Sequence, residues 1–217
     1  MSHSINYSLS ALARICAFAC ALASVAPAQA ALTTYSSASN FSSALTQQGT
    51  DTFSDIALGV PYVRWANAFS YTVSASSGLR PLEIDGASYI GNNTGYEWIT
   101  FAPTSVNAIG GEFFAADMYG AFKAGTVTVR VFDSTGSDEI FTITPSSATV
   151  ESFFGVTSTG FITRLDVRAD QGWTPSYLAA DNITVGTISA VPEPSSLALV
   201  LTGAGVVSVL MSRRRKT

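Results

Sequence analysis

Through the middle of the chain, apolar and polar residues alternate with a period of two. Phe69, Tyr71, Val73 and Ala75 alternate with Ser70, Thr72, Ser74 and Ser76, and Val127, Val129 and Val131 with Thr126, Thr128 and Arg130. Phe161, Leu165 and Val167 similarly alternate with Ile162, Arg164, Asp166 and Arg168. A run with one apolar and one mostly polar face is what an antiparallel strand needs when it covers a single core. Turn signals recur between the runs, among them Ser77-Gly78, Asp85-Gly86, Gly91-Asn92-Asn93, Asp133-Ser134-Thr135-Gly136 and Ser158-Thr159-Gly160. Short strands at such spacing predict an all-β fold, an antiparallel β-sandwich or jelly roll. A helical period occurs only between Tyr35 and Thr46, where Asn40 is the expected N-cap and Phe41, Ala44 and Leu45 share one face. No repeat of fixed period suits a solenoid or propeller.

The two ends break this pattern. Arg14 precedes an apolar run from Ile15 to Val25, which Pro27-Ala28-Gln29-Ala30 closes. A positive residue, a short apolar core and an Ala-x-Ala site define a secretory signal, with Ala28 and Ala30 as the recognition positions for signal peptidase. At the other end, Pro192-Glu193-Pro194 leads into an uncharged apolar run, Ser195 to Met211, closed by Arg213, Arg214, Arg215 and Lys216. Seventeen residues at about 1.5 Å each span roughly 26 Å, enough for a helix to cross a hydrocarbon core. The basic cluster predicts a cytoplasmic end, and the two prolines keep the preceding chain extended.

A Pro-Glu-Pro motif, a short membrane helix and an arginine cluster, in that order, resemble the PEP-CTERM sorting signal. The resemblance implies an exported protein of a Gram-negative bacterium whose tail is cut by an exosortase, an integral membrane protease. It implies residence in the inner membrane during sorting, then at the cell surface or in a biofilm matrix. The expected organisation is a signal peptide at 1–30, a β-sandwich domain at 31–190 and the sorting tail at 191–217. Four phrases (51–55, 108–114, 152–155 and 181–185) also resemble extracytoplasmic β-domains that precede such tails, a likeness that brings no activity with it.

About 160 residues between the ends suffice for one domain with its own core. They carry six Lys or Arg against fourteen Asp or Glu, a net charge of −8, which excludes a nucleic-acid surface built on clustered cations. Cys16, Cys20 and His3 all fall in the N-terminal segment. The domain therefore has no disulfide, no thiolate or imidazole metal site, and neither a Cys nucleophile nor a His base. No nucleophile elbow, Walker loop or dinucleotide fingerprint occurs, and no cofactor is required. Calcium is the metal this composition accommodates, since it takes carboxylate, amide and carbonyl oxygens. If the first and last strands meet, Asp51 or Asp55 with Asp181 and Asn182 are the candidate ligands, and the alternative role of Asp181-Asn182 is a turn capping the last strand. Trp65, Trp98, Trp173, Tyr62, Tyr89, Tyr96 and Tyr177, several of them near Gly- or Asn-rich turns, are candidates for stacking on sugars, above all Trp173 in the loop Gln171-Gly172-Trp173-Thr174-Pro175. The chain thus reads as a non-catalytic surface or matrix protein associated with exopolysaccharide. The alternative is a polysaccharide hydrolase using two of Glu83, Asp85, Glu97, Glu112, Asp117, Glu151 and Asp166.

Overall fold

The computed structural model describes residues 32–56, 62–84, 86–147, 152–170 and 175–189. The signal segment and the whole sorting tail, with its apolar run, lie outside the described residues, as do Asp85, Glu151 and Trp173. Among the described residues, no helix is long and apolar enough to cross a membrane.

The fold is an antiparallel β-sandwich. In chain order the strands are β1 Leu32–Tyr35, β2 Gln47–Asp51, β3 Val63–Ala66, β4 Phe69–Ser74, β5 Leu79–Ile84, β6 Ala87–Asn92 and β7 Ile99–Pro103. They continue with β8 Ala108–Ala116, β9 Val127–Asp133, β10 Asp138–Ile143, β11 Phe153–Ser158, β12 Ile162–Ala169 and β13 Tyr177–Thr187, and one helix, α1, spans Ala38–Ala44. A seven-stranded sheet runs β1-β11-β8-β13-β6-β5, with β2 also on β13. The facing six-stranded sheet runs β10-β9-β12-β7-β4-β3.

The alternation at Tyr71 and Val73, and at Val127, Val129 and Val131, places these side chains in the core between the sheets. Aromatic rings join the layers. Phe101 on β7 meets Phe113 on β8 at 6.0 Å, and Phe141 on β10 meets Phe154 on β11 at 5.4 Å. Each fully buried aromatic or branched side chain contributes about 1.5–3 kcal/mol of transfer free energy. The outer face of the seven-stranded sheet is partly covered by α1, whose Phe41 packs on Phe153. Gly155 makes room for it, since a Cβ there would stand 2.7 Å from the Phe41 ring.

Three expectations are corrected. The helix starts after Ser37, whose carbonyl accepts the Phe41 N–H, so Asn40 lies inside the helix and Tyr35 belongs to β1. On β12, Ile162 is buried and Phe161 is 55% exposed, because a register shift between Ile162 and Arg164 exchanges the faces. Asp181-Asn182 does not cap a strand end but lies inside β13. There the register slips between Asp181 and Thr184, so that Asn182 and Ile183 together oppose Gly111. Asn182 takes φ +52° in this bulge. Gly111 stands opposite, and a Cβ there would lie 2.6 Å from the tip of the Ile183 side chain.

A buried ion pair ties β2 of one sheet to β3 and β4 of the other. Asp51 Oδ1 accepts the Phe53 N–H at 3.0 Å and Arg64 Nη2 at 2.6 Å. Its Oδ2 accepts Arg64 Nε at 2.7 Å and the Tyr71 hydroxyl at 2.6 Å. Arg64 is 5% exposed, sits 5.0 Å over the Phe53 ring and reaches Asp55 at 2.7 Å. The hydrogen bonds to Asp51 hold its guanidinium above the ordinary value, and burial, with the charge of Asp51, pushes the Tyr71 hydroxyl up. Removing Asp51 leaves the buried Arg64 only the exposed Asp55 as an acidic partner and its Nε without one. Urea unfolding should therefore show Asp51→Ala costing about 3–5 kcal/mol, against roughly 1–2 kcal/mol for Tyr71→Phe. A paired Asp51→Leu, Arg64→Met replacement should recover most of the loss. A single Asp51→Ala change that leaves the midpoint in place would remove the pair from the account.

Candidate functional site

At one end of the sandwich the chain passes between the sheets twice, side by side: in the turn joining β4 to β5, and in the loop joining β6 to β7. Glycine is needed in the turn, where Gly78 has φ +92°. The Asn93 amide donates to the Ser77 carbonyl at 3.0 Å. Glu97 fastens the loop to the turn. Its carboxylate accepts the Ser76 hydroxyl at 2.6 Å, the N–H and hydroxyl of Ser77, and the Thr94 hydroxyl at 3.0 Å. Partial burial pushes the Glu97 carboxyl up, but these hydrogen bonds outweigh it and hold the group below the usual carboxylate range. From beneath, fully buried Asn92 donates to the Glu97 carbonyl at 3.0 Å and accepts the Leu178 N–H of β13 at 2.9 Å.

This framework presents Tyr96. Its backbone lies at φ +72°, a conformation that non-glycine residues rarely take. Its side chain is 63% exposed, with no ring or cation against it among the described residues. Tyr96 and Trp98 stand over an open groove of about 650 Å³ whose hydroxyls come from Ser74, Ser76, Thr94 and Thr100. Trp98 has one face occupied by the Arg168 guanidinium, 4.5 Å from the ring. The groove thus offers one free aromatic ring, one half-covered ring and a floor of hydroxyls. An apolar sugar face with hydroxyl edges complements such a surface, since the hydroxyls of Ser76, Thr94 and Thr100 donate to Glu97 or Asp166 and keep lone pairs that accept from a sugar hydroxyl.

Of the residues expected to bind metal, Asp55 turns to Arg64, while Asp181 and Asn182 face Glu112. Among the described residues, no three acidic, His or Cys side chains form a group able to hold a metal ion. Asn182 Nδ2 donates to Glu112 at 3.0 Å, and the Asn182 N–H donates to Asp181 at 2.6 Å. Burial pushes both carboxyls up, that of Glu112 despite the Asn182 bond and that of Asp181 to about 7, with the charges of Glu112 and Asp51 adding to the latter. Glu112 lines a separate cavity of about 300 Å³ beside α1, together with Phe41 and Phe153. Neither the role of Glu97 as a loop fastener nor the Asp51–Arg64 pair was among the sequence expectations. The Asn-Asn-Thr-Gly-Tyr-Glu-Trp run at 92–98 was the available signal for the first.

Residues 190–216 match the family model of the PEP-CTERM protein-sorting motif. The chain carries this motif in its C-terminal region and is an exported protein, sorted to the cell surface by exosortase-type machinery. No curated protein matches the chain. Among solved structures, it is similar to a carbohydrate binding module of family 29, at 15% identity over 70% of this chain and 97% of that one, with a TM-score of 0.34. It is also similar to the family 11 carbohydrate-binding module from Clostridium thermocellum in complex with a β-1,3-1,4-mixed-linked tetrasaccharide. The values there are 9% identity, 65% and 96% coverage, and a TM-score of 0.32. At these values the likenesses are remote.

The raised carboxyl of Asp181 has a consequence for stability. An unfolded Asp loses its proton near 3.8 and the folded one near 7, so the folded state holds more protons between these values. Stability carried by this group is full below the lower value and is lost as pH rises through the upper one. Asp181→Asn should therefore raise the melting temperature above neutrality and flatten its decline between about pH 4 and 7. Parallel profiles for the two proteins across that window would contradict the burial of this charge.

Proposed function

We propose that the domain retains extracellular polysaccharide at the cell surface or in the biofilm matrix, without cleaving it. The observation that carries this reading is Tyr96, held exposed in a left-handed backbone over a hydroxyl-lined groove. A non-glycine residue in that conformation costs on the order of 1–2 kcal/mol, and the Glu97 and Asn92 bonds offset the cost. A backbone fixed in this way loses little further freedom when a ligand stacks on the ring it carries.

The chemistry of the groove favours binding over hydrolysis. A glycosidase needs two carboxylates across the scissile bond, one of them kept protonated. Glu97 is the one carboxylate among the groove residues, and four donors from Ser76, Ser77 and Thr94 occupy its oxygens and favour its charged form. Asp166, across the sheet from Thr100, accepts that hydroxyl at 2.7 Å and pairs with Arg164 at 3.2 Å. Before it reaches the surface, the chain passes signal peptidase and an inner-membrane stage, where an exosortase acts at Pro192-Glu193-Pro194. Trp173 lies outside the described residues, and Tyr96 takes its place as the stacking ring.

Stacking on one ring is worth about 0.5–1.5 kcal/mol, so a single domain binds weakly and dense display raises avidity without new contacts. Protein purified from the native host should be retained on the host's matrix polysaccharide and release no new reducing ends. Tyr96→Gly should lower retention roughly three- to tenfold while leaving the melting temperature unchanged or higher, since glycine accepts this backbone without strain. Unaltered retention by Tyr96→Gly would move the site elsewhere, and new reducing ends would make the protein a hydrolase.

A further inference from the structure

We propose that the binding surface runs on from the groove along the outer face of the six-stranded sheet to Trp65, and that its ligand is an internal stretch of a linear, neutral polysaccharide. The inference rests on the polysaccharide reading of the groove and deepens it.

The register places the two aromatic ends on one face. On β4, Tyr71 and Val73 are buried, so Ser70, Thr72 and Ser74 point outward. Ser74 pairs with Thr100 at the groove, Thr72 stands between Val63 and Ala102, and Ser70 pairs with Trp65. On β3, Arg64 turns into the interior, so Trp65 shares the outer face and is 65% exposed. No ring or cation contacts it among the described residues. Ser70 and Ser74 are four residues apart, about 13 Å along an extended strand, which is longer than one pyranose ring. Between Trp65 and Tyr96, β4 and β7 present nothing larger than Thr on this face. The result is a shallow trough, with hydroxyls along its floor and an aromatic platform near each end. A monosaccharide reaches one platform, and a chain reaches both.

Charge selects the chain. Of the outer-face cations, Arg130 and Arg164 lie farther across the sheet, on β9 and β12, while Arg168 on β12 covers one face of Trp98 at the groove, and each has a carboxylate partner. Arg130 is 2.5 Å from Asp138, Arg164 is 3.2 Å from Asp166 and Arg168 is 3.6 Å from Asp170. Arg130 and Arg164 also share the Phe132 ring, at 4.6 and 3.8 Å. A polyanionic chain finds no unpaired guanidinium on this face among the described residues, and it meets a domain in which acids outnumber bases. A neutral chain meets rings, hydroxyls and the small apolar side chains of Val63 and Ala102.

The test uses the purified full chain and size-graded fragments of the host's matrix polysaccharide, from disaccharide to hexasaccharide, separated into neutral and uronate-bearing pools. Affinity for the neutral pool should rise about tenfold or more from disaccharide to hexasaccharide, as a second platform engages. Trp65→Ala should erase that gain, weakening hexasaccharide binding roughly three- to tenfold with no change for the disaccharide. Trp65→Tyr should restore most of it, whereas Tyr96→Ala should weaken both fragments. Binding that does not grow with length, or Trp65→Ala with wild-type hexasaccharide affinity, overturns the extended site and leaves the groove reading standing if Tyr96→Ala still weakens binding. Tighter binding of the uronate pool overturns the neutral assignment. Because β3 is a sheet edge, sedimentation is measured alongside. A Trp65→Ala variant that loses self-association but not glycan affinity assigns this face to a second copy and overturns the proposal.

Discussion

Four hydrogen bonds converge on the Asp51 carboxylate, and they fix how the two sheets meet at one edge. Arg64 fills one side of each oxygen, and Phe53 and Tyr71 supply the remaining donors. A buried charge is tolerable only when its acceptor sites are filled, so β2, β3 and β4 are constrained together. That constraint reaches the proposed binding face. Arg64 turned inward is what turns Trp65 outward, and Tyr71 turned inward is what turns Ser70 and Thr72 outward. Without disulfides in the domain, this pair and the cross-sheet aromatic contacts set the alignment of the layers.

The second polar network, around Glu97, acts on the loop rather than on the sheets. It joins two connections that the core alone would leave independent, and it holds Tyr96 in a conformation the residue does not prefer. The two networks share a principle: a carboxylate saturated with donors is a rigid node, not a reactive one. By the same reasoning, the Glu112–Asp181 pair is an uncompensated acid site among the described residues. It has two carboxyls on register-paired positions, one amide donor between strands, and no cation in its ion-pair or hydrogen-bond contacts.

The sandwich was legible in the sequence because its strands alternate cleanly where both neighbours are regular, as at Tyr71–Val73 and Val127–Val131. It became illegible at bulges. Phe161 and Ile162 are both apolar, and only the register shift decides which faces the core. Asp181-Asn182 has the composition of a turn, yet the bulge opposite Gly111 absorbs it inside a strand. The Asp51–Arg64 pair joins residues on different sheets, a relation no local pattern encodes. In the candidate site, Tyr96 and Trp98 were legible only as two of seven aromatics, with Trp173 favoured over them, and the part played by Glu97 depends on a turn twenty residues earlier. The tail was the most legible element, since its recognition rests on linear order rather than on folding.

The central claim is that the six-stranded face, from Tyr96 to Trp65, holds a neutral glycan. Backbone amide shifts followed by nuclear magnetic resonance during titration with a neutral hexasaccharide fragment of the host's matrix polysaccharide test it most directly. The account predicts that perturbations gather at residues 94–100, at the outward positions of β4 and at Trp65, with the amides around Glu112 and Asn182 unmoved. Perturbations confined to the cavity beside α1, or spread evenly over both sheets, would contradict it.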